Sequence, residues 1–191
     1  MIISIAGAIG SGKSTIGKML AEKINWPRYN MGDVWRELAR QKGMTLAELQ
    51  KLSETELKTD NEIDEQVKNL GATKDNFIIE GRLAWHFIPH SLKIYLDVSE
   101  DEAARRIFSE LQIRNESQED KKMETYEDVV SSIKDRKKRD LFRYQKYYGI
   151  NPFEPANYDL AIDTTSLSVQ EVFAKVLNFV ENQKNTNIDK K

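Results

Sequence analysis

The sequence predicts an α/β protein, a three-layer sandwich in which a five-stranded parallel sheet carries helices on both faces. Two observations carry this expectation. Short strand-like runs at Met1 to Ala6, Arg28 to Asn30, Asn76 to Glu80, Leu92 to Val98 and Tyr158 to Ile162 alternate with stretches of helical periodicity. Strands separated by helices are joined by right-handed crossovers, which makes them parallel and buries both faces of the sheet. The first run is also followed by a glycine-rich loop and a helix, the order in which a phosphate-binding turn is built.

That loop is Gly7-Ala8-Ile9-Gly10-Ser11-Gly12-Lys13-Ser14, a match to G-x-x-x-x-G-K-[ST]. Its glycines let the main chain approach an anion closely and turn several N–H groups toward it. The helix that follows adds unpaired N–H groups and the positive end of its dipole. Lys13 can reach the β- and γ-phosphates of a nucleotide, the Ser14 hydroxyl can ligate Mg²⁺, and Thr15 can donate to the α-phosphate. The fold class is therefore expected to be of the P-loop NTPase type.

Along the chain, Ile16, Met19, Leu20 and Ile24 give one helix an apolar face, with Pro27 beyond its end. After the short strand at Arg28 to Asn30, a helix starts near Gly32 and stops at Gly43. Thr45 with Glu48 forms a capping box for a short helix to Leu52, and Ser53 with Glu56 repeats the pattern for a longer one ending near Gly71. Ser99 caps a helix to about Ile113, and the polar stretch Arg114 to Glu124 interrupts the pattern. A long helix from Tyr126 to Tyr148 ends at Gly149, and a last one spans Val169 to Asn182. Residues 184–191 read as a frayed polar tail on a domain of residues 1–183.

Composition narrows the function classes. With 29 Lys+Arg against 31 Asp+Glu in 191 residues, no overall basic excess calls for nucleic acid. There is no cysteine, so neither a disulfide framework nor a thiolate metal site is available. The apolar run at Met1 to Ala6 is far shorter than a membrane span or a signal core, so a cytoplasmic protein with no membrane partner is expected; a monomer is expected as well.

In such a sheet ligands collect at the carboxyl ends of the strands. Gly32, Asp33 and Arg36 follow the second strand, Glu80, Gly81 and Arg82 the third, and Asp97 lies near the end of the fourth. Two arginines after two strand ends point to a second anion site beside the loop. Glu80 closes a strand expected beside the first, where a carboxylate can hold Mg²⁺ through water. In the long helix, Val130, Ile133, Lys137, Leu141, Tyr144 and Tyr148 share one face. Arg136, Arg139, Asp140, Arg143 and Tyr147 form an adjoining stripe. The first face is expected to pack and the second to remain available. Arg136 and Asp140, four apart, also fit a plain surface pair.

These residues carry a resemblance. The chain resembles the nucleoside monophosphate kinases, most closely the cytidylate kinases of the short, archaeal-like type, from Met1 to about Val180. The matching stretches are the P-loop, Asn30-Met31-Gly32-Asp33-Val34-Trp35-Arg36, Phe77 to Trp85 with its Glu-Gly-Arg-Leu-Ala, Leu92 to Asp97, Ile133 to Tyr144 with its Arg-x-x-Arg-Asp-x-x-Arg, and Tyr158 to Asp163. The resemblance implies ATP and a nucleoside monophosphate as partners, with Mg²⁺. It implies that Arg82, Arg136 and Arg143 hold the acceptor phosphate and the transferring phosphoryl group, and that Asp140 lies near the acceptor's sugar or base. Leu83 stands where the common bacterial form has an acidic residue, and Met31 where it has a small hydroxyl residue; both adjoin the acceptor.

Residues 37–70 are expected to form a flap over the acceptor, with Asp60 and Asp64 as base or sugar contacts. Residues 105–143 are expected to form a lid, from which Arg105, Arg106, Arg114, Arg136 or Arg139 reaches the phosphates. Adenylate kinase and polynucleotide 5′-hydroxyl kinase are the alternatives within P-loop kinases. A guanine-specific switch would want Asn-Lys-x-Asp, and Thr73-Lys74-Asp75-Asn76 lacks its first and last residues. His86 and His90 read as structural histidines, and Trp26, Trp35 and Trp85 as core or pocket wall.

Overall fold

The computed structural model describes residues 1–53, 57–111 and 123–188, apart from the side chains of 47, 57–60 and 186–188. In chain order the elements are β1 (Ile2–Gly7), α1 (Lys13–Ile24), β2 (Arg28–Asn30), α2 (Met31–Gln41), α3 (Leu46–Ser53), α4 (Leu57–Thr73), β3 (Phe77–Glu80), α5 (Ala84–Phe87), β4 (Leu92–Asp97), α6 (Glu100–Ser109), α7 (Tyr126–Tyr148), β5 (Leu160–Asp163) and α8 (Val169–Ile188). The sheet is five-stranded in the order β2-β3-β1-β4-β5, and its neighbouring strands pair in parallel.

Side chains on a strand alternate between faces, so the near-continuous apolar runs of the central strands feed two cores. Ile3, Ile5, Ile78 and Ile94 pack with Ile16 and Leu20 of α1 and Val172, Val176 and Val180 of α8. Ile2, Phe77 and Ile79 face the other way, against Ile63 and Val67 of α4, Met31 and Ile88. A third cluster joins α6 to α7 through Ala103, Ala104, Ile107, Val129 and Ile133. Among the described residues no helix is long and apolar enough to cross a membrane.

Register decides what meets at the carboxyl edge. Gly7 pairs with Leu96, Glu80 with both Ile5 and Asn30, and Asp97 with Asp163. The glycine loop after β1 and the residues after β2 and β3 therefore share one edge, as expected.

Several local expectations change. Ser53 is not an N-cap: it ends α3, and its hydroxyl donates to the Gln50 carbonyl at 2.8 Å. Its proposed partner Glu56 lies outside the described residues. Gly71 does not stop α4, which runs to Thr73 and packs Gly71 against Ile88. Helix α6 ends at Ser109 rather than Ile113, while α8 continues past Asn182 to Ile188. Lys184 lies over the Trp26 ring at 4.4 Å, which fastens part of the expected polar tail to the body. Thr45 and Glu48 do form their capping box, and Gly149 ends α7 in the left-handed conformation.

Candidate active site

The glycine loop is built against the end of β4. A Cβ at Gly7 would lie 2.1 Å from the Leu96 carbonyl oxygen, and its φ of +153° is itself open mainly to glycine. The Ser11 hydroxyl donates to the Ala8 carbonyl at 2.9 Å and fixes the turn. Gly12, at the N-cap of α1, offers no side-chain acceptor, so the first N–H groups of that helix point into the loop unclaimed by a cap. Lys13 Nζ donates to the carbonyls of Gly7 at 3.0 Å and Ala8 at 2.6 Å, which holds its ammonium over the same turn.

Beside the loop, Glu80 is a buried carboxylate with three neighbours. Its Oε2 accepts from the Ser14 hydroxyl at 2.9 Å, and its Oε1 pairs with Arg28 Nε. Asn30 Nδ2 in turn donates to Ser14 Oγ at 3.5 Å. The third neighbour is the backbone of α1, admitted because residue 17 is glycine: a Cβ there would lie 2.1 Å from Glu80 Oε1. Ser14 and Glu80 supply the hard oxygen donors that suit Mg²⁺. Among the described residues no group of three or more acidic, His or Cys side chains forms a metal cage.

Alanine at an ordinary helical glycine stabilises by up to about 1 kcal/mol. Here Gly17→Ala is expected to destabilise by about 1–3 kcal/mol, because the methyl group must displace Glu80 or shift α1. Urea denaturation measures it, and a stabilised variant would contradict this packing.

The second cluster lies across the cleft. Arg82 Nη1 stands 3.0 Å from Asp140 Oδ2, and Arg143 Nη2 lies 3.5 Å from Asp140 Oδ1. Arg143 also donates to Ser53 Oγ and Tyr144 OH, each at 2.9 Å, and its guanidinium lies over the rings of Trp35 and Tyr144 at 5.2 and 4.8 Å. The structure thus corrects the reading of α7. Asp140 and Arg143 are each 2 % exposed, whereas Leu141, assigned to the packed face, is 39 % exposed. Periodicity assigns the interior to apolar residues, but here Asp140 and Arg143 are buried beside each other, with the half-buried Arg82 reaching them from the turn after β3. Arg82 Nε is sealed from solvent without a hydrogen-bond acceptor.

One cleft of about 840 Å³ is lined by Gly10 to Thr15 of the loop, by Gly32, Asp33 and Arg36, by Glu80 to Arg82, and by Arg136 and Arg143. Arg36 pairs with Asp33 at its rim. Met31 and Leu83, the two departures from the bacterial pattern, are both buried, and Met31 also lines the cleft.

Other candidates fall elsewhere. Asp64 accepts from the Tyr148 hydroxyl and is not among the cleft-lining residues. The side chain of Asp60 lies outside the described residues, as does Arg114. Arg139 does not line the cleft either, though its Nε is buried without an acceptor. Of the paired arginines in α6, Arg105 is bound to Asp101 at the surface. Arg106 lines the cleft and donates to the Thr164 carbonyl at 2.7 Å and Thr164 Oγ1 at 3.1 Å, tying α6 to the turn after β5. Asp97 accepts weakly from Tyr95 OH at 3.5 Å and stays outside the cleft. His86 packs edge-on against Trp85 and Phe87, where partial burial and then nearby Lys68 hold its imidazole below the ordinary value. Trp85 Nε1 braces the Arg82 carbonyl at 2.9 Å.

Sequence reasoning missed Arg28, Gly17, Gln50 and Ser53. A glycine within an otherwise good helix was the one available signal; the others are unremarkable polar residues until the strands and helices meet.

A family model described as the cytidylate kinase-like family matches residues 2–166. The chain is 34 % identical to a cytidylate kinase of Natronomonas pharaonis, over 92 % of this chain and 87 % of that protein. It is 35 % identical, over 89 % of its length, to an S-adenosylmethionine-dependent nucleotide dehydratase of Lacinutrix mariniflava, but spans only 34 % of that protein. Among solved structures, a shikimate kinase from Acinetobacter baumannii superposes with a TM-score of 0.61 at 17 % identity, covering 96 % of this chain and 94 % of that one, a likeness of fold. With its glycine loop, its arginine cluster and a match over most of its length, the chain is a nucleoside monophosphate kinase and belongs to the cytidylate kinase-like family.

Proposed function

We propose that the chain transfers the γ-phosphoryl group of ATP to a pyrimidine nucleoside monophosphate, CMP or dCMP foremost. The observation that carries this is the single cleft bounded on one side by Gly10 to Thr15 and on the other by Arg36, Arg82, Arg136 and Arg143. Donor phosphates suit the glycine loop, and an acceptor phosphate suits the arginines opposite.

The acceptor's phosphate oxygen attacks the γ-phosphorus in line, and no protein nucleophile is required. Lys13 leaves the Gly7 and Ala8 carbonyls for the β- and γ-phosphates, and the arginines spread positive charge around the transferring group. When bound, Mg²⁺ neutralises charge on the phosphate oxygens, and Ser14 and Glu80 are the residues that would hold it. Arg28 and Gly17 fix Glu80 from behind. Asp140 orients Arg82 and Arg143 so that their donors are aimed before substrate arrives. Residues 37–70 act as the flap and 105–143 as the lid, and closure excludes water, the competing acceptor.

The test is ADP release from ATP with CMP, dCMP, UMP, AMP and GMP in turn. Turnover is expected to be highest with CMP or dCMP; a preference for AMP would replace this reading with adenylate kinase.

A further inference from the structure

We infer that Gln50 reads the hydrogen-bonding edge of the acceptor's pyrimidine, an assignment that rests on the reading of the cleft as a pyrimidine monophosphate site. Gln50 lies in α3, is 6 % exposed and lines the cleft. It sits one turn before Ser53, the residue that receives Arg143 Nη1 at 2.9 Å, so the two share the helix face that meets the arginine cluster.

Its carboxamide is what distinguishes it. A neutral amide buried to this degree is ordinarily hydrogen-bonded, because leaving it unpaired is costly. The Gln50 carboxamide makes no hydrogen bond to a described residue, yet neither of its polar atoms is sealed from solvent. Those atoms therefore open toward the cleft. The other carboxamide lining it, Asn30, is committed: its Oδ1 accepts from Gly32 N at 2.9 Å and its Nδ2 donates to Ser14 Oγ. Leu46, Trp35 and Tyr144 line the same cleft, and apolar and aromatic lining suits a planar ring even though Arg143 lies over the two aromatic rings. The phosphates are drawn to the loop and the arginines, which leaves the neutral and aromatic lining to the base.

The chemistry fits a pyrimidine. Cytosine presents an amino donor at N4 beside an acceptor at N3, which match Oε1 and Nε2 of a carboxamide. Uracil presents an acceptor at O4 beside a donor at N3, which the same carboxamide meets after turning over. A carboxylate at this position accepts only, so it can receive the cytosine N4 amino group or the uracil N3–H but opposes the remaining acceptor of either base, N3 of cytosine or O4 of uracil.

The experiment compares wild type, Gln50→Met and Gln50→Glu in steady-state kinetics, with CMP and UMP varied at saturating ATP and ATP varied at saturating CMP. Gln50→Met, close to isosteric, is expected to lower kcat/KM for CMP about tenfold or more, through KM for the acceptor, with KM for ATP unchanged. Gln50→Glu is expected to lower kcat/KM for both CMP and UMP about tenfold or more, again through KM for the acceptor, because either base then faces an acceptor it cannot satisfy. If Gln50→Glu does not fold, the split between acceptor and donor KM in Gln50→Met decides alone. Unchanged acceptor KM in both variants, or equal losses for donor and acceptor, would overturn the role of Gln50 while leaving pyrimidine phosphorylation standing. A wild-type protein that turns over purine monophosphates alone overturns both.

Discussion

Lys13→Ala is expected to lower kcat by about 10² to 10³, the loss typical of one preorganised charge-stabilising group at a transition state. The lysine is aimed by its own loop, through Nζ contacts to Gly7 and Ala8 at 3.0 and 2.6 Å. Those contacts stabilise the loop modestly, so the variant is expected to lose no more than about 1–2 kcal/mol and to remain folded. The pairing of a large kinetic loss with a small stability loss separates a catalytic group from a structural one. Turnover at saturating ATP and CMP, with thermal melting alongside, measures both. Wild-type turnover in this variant would remove the glycine loop from the mechanism.

Arg143→Ala is expected to lose about 10² or more in kcat/KM for the monophosphate and, unlike Lys13→Ala, to be substantially destabilised. Buried at 2 % exposure between Asp140, Ser53, Trp35 and Tyr144, the guanidinium is part of the interior. Removing one partner of a buried ion pair leaves the other carrying an unshared charge, which costs about 3–5 kcal/mol in isolated pairs. Asp140 keeps Arg82 at 3.0 Å, so a loss of about 2–3 kcal/mol is expected. Arg143→Lys should restore part of the stability but little activity, since an ammonium cannot bond Ser53 and Tyr144 while facing a phosphate. A cycle with Asp140→Asn tests the electrostatic account: with the carboxylate gone, Arg143→Ala should cost less than it does alone. Additive losses would mean that Arg143 acts through packing. Unchanged acceptor kinetics would return α7 to a structural role.

Much of this protein is legible residue by residue. The glycine loop could be placed because its chemistry is local: glycine spacing, lysine and serine all act within one turn of the chain. The sheet followed from apolar runs alternating with helical stretches, and the capping box at Thr45 and Glu48 and the stop at Gly149 follow from backbone hydrogen bonding over a few residues. Glu80 was found from its position at a strand end, a consequence of parallel topology.

What the sequence left open depended on contacts between distant segments. Hydrophobic periodicity placed Leu141 inside and Asp140 and Arg143 outside, whereas the fold does the reverse, because Arg82 arrives from β3 and Ser53 from α3 to satisfy those charges. Arg28 gains its place only when β2 pairs beside β3, and Gly17 only when Glu80 is pressed against α1. Ser53, legible as a helix start, instead ends a helix and receives an arginine 90 residues away. A charge is cheap to bury only beside its partner, and a sequence read by local propensity does not contain the partner's position. The chain by itself determined the phosphate loop and the order of strands and helices; tertiary structure alone decided which charged side chains turn inward to face the cleft.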